Sequence, residues 1–92
     1  MKLDPELRLQ ILEKVGIYSN RFSITEPEIL LATKEVLDAP KEMTEGRRTS
    51  AYKYYGVSYI PHNLVFINVR KILDEKTLDN TIVHELIHMR FP

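Results

Sequence analysis

Residues 84–88 read His-Glu-Leu-Ile-His, an H-E-x-x-H pattern in a chain of 92 residues. Residues four apart on an α-helix project from one face about a turn apart, so His84 and His88 are spaced to offer one imidazole each to a single metal ion. Glu85 follows roughly 100° around the helix from His84. From there a carboxylate reaches a water on the metal without ligating the metal itself. Zinc lowers the pKa of such a water towards about 7, and the carboxylate takes its proton and passes it to a leaving amine. The chemistry expected is peptide-bond hydrolysis by metal-activated water. On that expectation Zn2+ would be the cofactor, His84 and His88 its ligands, Glu85 the general base, and a peptide or protein the substrate. The chain has no Cys, so only His, Asp and Glu are available to hold a metal.

From average residue frequencies this pattern arises by chance about 0.3% of the time in a chain of this length. The competing reading makes His84 and His88 ordinary surface or core histidines on an amphipathic helix. The third histidine, His62, lies in Pro61-His62-Asn63 and reads first as a polar residue in a proline turn, and only then as a reserve metal ligand. Tyr52, Tyr54, Tyr55 and Tyr59 are of a type that stacks on bases. Thirteen basic residues against thirteen acidic ones leave no basic field to attract nucleic acid, so the tyrosines read as sheet packing. Arg47 and Arg48 beside Glu42 and Glu45 read as a solvated loop cluster.

The elements that must position these residues follow from periodicity. Asp4 and Pro5 start a helix over 5–15 with Leu7, Ile11, Leu12 and Val15 on its apolar face, and Gly16 is its expected stop. Thr25 and Glu28 have capping-box spacing, which predicts a second helix over 25–38 carrying Ile29, Leu30, Ala32, Val36 and Leu37 inward. Residues 49–60 suit one or two strands broken near Gly56, and 64–69, Leu-Val-Phe-Ile-Asn-Val, read as another. A last helix spans 77–90. On it Leu78, Ile82 and Leu86, with Val83 and Ile87, form an apolar arc facing away from the histidines. The layout is α+β: a small twisted, mostly antiparallel sheet with N-terminal helices and a C-terminal active-site helix.

Composition bounds the rest. Ninety-two residues, 43% hydrophobic and 28% charged, describe one globular domain over 1–92. No apolar run approaches the roughly 18 residues that a membrane helix needs, so no membrane partner is expected. The first ten residues carry acids and no apolar stretch, unlike a secretory signal. With the lack of cysteine this points to the cytoplasm.

Thr-Ile-Val-His-Glu-Leu-Ile-His-Met at 81–89 resembles the extended zincin metallopeptidase signature, with Thr81 ahead of the motif and uncharged residues at 82, 83, 86, 87 and 89. Arg90 departs from it, standing where that signature has an apolar residue. The approach over 64–88 resembles small gluzincin-like peptidases, in which an edge strand ending in Asn precedes the active-site helix. With the chain length, it is most similar to the selecase-type minigluzincins. That resemblance covers residues 45–92 well and the N-terminal helices only in order and length. It implies that His84 and His88 bind zinc, that Glu85 is the general base, and that strand 64–69 is the upper rim of a cleft. Val65, Phe66, Ile67 and Asn68 would then line a substrate backbone through free edge amides and carbonyls. Asn68 reads equally as a group orienting a substrate carbonyl and as an exposed strand-end residue. The resemblance also implies a third zinc ligand downstream of the motif. The sequence is therefore expected to be C-terminally shortened relative to the family, holding the upper zincin subdomain, and to be latent or weakly active. Two rival readings stay open: a self-associating, autoinhibited scaffold, and a non-enzymatic interaction domain whose H-E-x-x-H is coincidental.

Overall fold

The computed structural model describes residues 1–32 and 54–92. Helix α1 spans Pro5–Arg21, strand β1 Glu28–Ala32, strand β2 Gly56–Tyr59, strand β3 Leu64–Asn68 and helix α2 Glu75–Arg90. The sheet order is β1-β3-β2, with β1 parallel and β2 antiparallel to β3. The class is α+β as expected, but the sheet is mixed rather than mostly antiparallel. Among the described residues no helix is long and apolar enough to cross a membrane.

Helix α1 begins as its sequence directs. The Asp4 carboxylate accepts from the Leu7 N–H at 2.7 Å, and Pro5 occupies the first turn. It does not stop at Gly16. The buried stripe Leu7, Ile11, Val15 continues to Ser19, and packing of that extra turn outweighs the roughly 1 kcal/mol that a mid-helix glycine costs. Leu12, assigned to the apolar face, is instead exposed. The helix ends where Ser23 adopts a left-handed φ of 56° and Ile24 donates to the Ser19 carbonyl.

The expected second helix is a strand where the structure describes it. Glu28 pairs with Leu64 and Ala32 with Asn68, in parallel register. Alternation decides the matter: Ile29 and Leu31 pack towards the helices, Leu30 and Ala32 towards the opposite face of the sheet. A strand buries both sets at once, which a helix on the surface would not. The Glu28 N–H, which a capping box would have turned into a helix, donates to the Asn63 carbonyl. Asn63, at a left-handed φ of 48°, also donates through Nδ2 to the carbonyl of Glu26. The remainder of that helix, 33–38, and the start of the expected strand at 49–53 lie outside the described residues, as do Arg47, Arg48 and Tyr52.

Both helices cover one face of the sheet. Leu7, Ile11 and Val15 of α1 meet Leu78, Ile82 and Leu86 of α2 over Val65, Ile67, Val69 and Ile72. Lys14 fastens the two helices, its ammonium bonded to Asp79 and, at 3.1 Å, to Glu75. The Asp79 hydrogen bond, partly opposed by burial, holds that ammonium above the usual lysine range. Strand β3 is the middle strand, buried along its whole length. That overturns its expected place at the edge: pairing on both sides occupies the amides and carbonyls that a substrate would need.

Candidate active site

Helix α2 carries the H-E-x-x-H residues. Its N-terminus is capped by Asp74, whose carboxylate accepts from the Thr77 N–H at 2.7 Å. That hydrogen bond draws the Asp74 carboxyl below its ordinary range. The buried stripe of α2 is Leu78, Thr81, Ile82, Glu85 and Leu86. It is narrower than the expected arc, with Val83 half-buried and Ile87 exposed. Glu85 lies within this stripe, only 6% exposed, while His84 and His88 face outward.

The two imidazoles converge. Their Nε2 atoms are 3.0 Å apart and the rings meet edge to face, with centroids 4.5 Å apart. Two nitrogens held at about 2.0–2.1 Å by one tetrahedral ion stand about 3.3–3.4 Å apart, so the pair fits a shared zinc after a shift of a few tenths of an ångström. The donor chemistry fits as well, since imidazole is a common zinc ligand. Among the described residues no third His, Asp or Glu joins them. His62 belongs to a short 3-10 turn over Ile60–His62 and stacks on Tyr59 with centroids 4.9 Å apart, as the proline-turn reading has it.

Glu85 faces β2. The Ser58 hydroxyl lies 2.8 Å from Glu85 Oε1 and 2.8 Å from the Glu85 carbonyl oxygen. Strand β2 also comes close to α2 at Gly56, where a Cβ would stand 3.0 Å from Glu85 Cγ and from Thr81 Cγ2. Two open hollows of about 400 and 430 Å³ adjoin here, and both are lined by Tyr54, Gly56, His84 and Glu85. The groove therefore runs between α2 and β2, not along β3.

Of the four residues expected to line a substrate, Val65 and Ile67 are core beneath the helices and Phe66 packs on the opposite face. Asn68 is 1% exposed rather than a strand-end residue in solvent. It donates through Nδ2 to the Tyr54 carbonyl at 3.3 Å and through its backbone N–H to the Tyr55 carbonyl at 2.8 Å. Asn68 thus fixes a wall of the groove from behind. Ser58, Gly56 and Tyr54 were missed as site residues. The sequence does carry a signal for the first two, a Gly-x-Ser step that places both on one face of a strand. No family model, curated protein or solved structure matches this chain.

Proposed function

We propose that this chain is a zinc-dependent metallopeptidase domain of the H-E-x-x-H type. The observation that carries the reading is the convergence of the His84 and His88 Nε2 atoms, 3.0 Å apart, beside a groove-lining Glu85. Zinc, when bound by the two histidines, supplies the Lewis acidity that makes water a nucleophile near neutral pH and polarises a peptide carbonyl. Glu85 takes the proton of the attacking water and returns it to the leaving amine. Its burial beside β2, at 6% exposed, lowers the local dielectric and strengthens its electrostatic action in the groove. Strand β2, rather than β3, is the strand along which an extended peptide would lie, because it borders the groove and pairs with β3 on one side only among the described residues. The reducing cytoplasm is the setting we assign to this cysteine-free chain.

A second reading, self-association that covers the groove, is favoured by one observation. Ile60 and Ile87 are 43% and 42% exposed and Phe91 is 68% exposed. Ile60 lines the groove. A second copy of the chain that buried Ile60 would occlude the site.

The test of the peptidase reading is incubation of a complex peptide pool with zinc-loaded protein, followed by mass spectrometry of new termini. Cleavage that chelation abolishes and zinc restores is expected, and cleavage indifferent to zinc would contradict it.

A further inference from the structure

A glutamate on a helix is not aimed by the helix alone. Its terminal torsion is broad and roughly two-fold, so the carboxylate plane turns freely unless something holds it. Ser58 supplies that hold. Its hydroxyl is 2.8 Å from Glu85 Oε1, and the Glu85 carbonyl at the same distance gives it a second acceptor. One hydroxyl proton serves one acceptor at a time, and an ionised carboxylate is the stronger of the two. With Oε1 engaged, Oε2 is the oxygen left to act in the groove that Glu85 lines.

This contact requires β2 to come unusually near α2. Gly56, two residues before Ser58 on the same strand face, permits the approach, since a Cβ there would meet Glu85 Cγ and Thr81 Cγ2 at 3.0 Å and the Phe66 carbonyl at 3.1 Å. We propose that Ser58 is a positioning residue for the general base, holding the Glu85 carboxylate through Oε1, and that Gly56 provides the clearance that contact needs. This inference rests on the peptidase reading above. It goes beyond it in assigning work to β2 that the H-E-x-x-H motif does not contain.

The experiment compares S58A, S58T and E85Q with the wild-type chain, zinc-loaded, on one peptide recovered from the cleaved pool. S58A is expected to lower kcat about 10- to 100-fold with KM within about twofold, as loss of a supporting hydrogen bond does at a metal site. S58T, which keeps the hydroxyl, should recover most of kcat. Zinc affinity by chelator competition should be unchanged in S58A, because the Ser58 hydroxyl bonds to Glu85 and not to a histidine. A readout independent of turnover is the thermal unfolding of metal-free S58A, E85A and the double variant. The double variant should lose less Tm than the two single losses added together, because each single change leaves a partner unsatisfied. If E85Q is inactive while S58A keeps wild-type kcat, or S58T is no better than S58A, this inference is overturned and the peptidase reading stands. If E85Q cleaves as well as wild type, the peptidase reading fails. The contact is then judged by the unfolding cycle, where strictly additive losses overturn it.

Discussion

Two imidazole nitrogens 3.0 Å apart on one helix face need little movement to share an ion, so most of the ordering cost of binding is already met by the fold of α2. His84→Ala and His88→Ala should therefore each remove most of the zinc affinity in a chromophoric-chelator titration. Glu85→Ala should leave it nearly unchanged, since that carboxylate turns towards Ser58. Loss of zinc binding in Glu85→Ala alone would make Glu85 a ligand and overturn its assigned role. At this scale the site was half legible. The histidine pair and the glutamate follow from helical spacing, a local property that five residues contain. The Ser58 hydroxyl and the Gly56 clearance depend on how closely a strand twenty-seven residues earlier approaches the helix, as the Ser58–Glu85 contact records. No local spacing encodes that distance.

Elements were legible where one local signal stood alone and misread where tertiary pairing competed with it. α2 follows its apolar period through Leu78, Ile82 and Leu86 and ends at Arg90 as expected, but the Asp74 cap starts it at Glu75, two residues before the expected 77. At 25–32 the capping-box spacing and the run Ile-Leu-Leu-Ala suit a helix. Pairing with β3 packs both faces of that run, half-burying Ile29, Leu30 and Leu31 and fully burying Ala32, and prevails, as sheet context commonly does over propensity. Strand 64–69 was recognised as a strand but given the wrong neighbours, because its alternation cannot say whether one edge is paired or two. The cap of α2 makes a pH-dependent prediction. The Thr77 N–H draws the Asp74 carboxyl below the usual carboxylate range. A depressed folded-state value means that the contribution is fully present above the ordinary carboxylate range and is lost as pH falls through the folded value. In an acid titration the protection of the Thr77 amide, measured against its intrinsic exchange rate, should fall as the pH passes below the usual carboxylate range, before the core opens. Asp74→Asn, which keeps a capping oxygen but no titrating group, should remove that early step. An unchanged acid profile in Asp74→Asn would show that the cap is not its source.

For the molecule as a whole, two helices on one face of a mixed sheet leave α2 pinned by its buried stripe while the histidine face looks outward beside β2. The same arrangement leaves Ile60, Ile87 and Phe91 exposed. Full burial of such side chains is worth roughly 1.5–3 kcal/mol each, enough to drive weak pairing of copies. Light scattering across a wide concentration range should show the mean mass rising, and Phe91→Glu with Ile87→Glu should return it to that of one chain. A wild-type mass constant over that range would remove self-association from the account. If two histidines hold zinc and Glu85 serves as the general base beside it, Glu85→Gln should separate binding from turnover. Zinc affinity is expected within about twofold of wild type, with kcat lowered about a hundredfold or more, the scale set by removing a positioned general base. Wild-type turnover by Glu85→Gln on the same peptide would mean that Glu85 is not the general base.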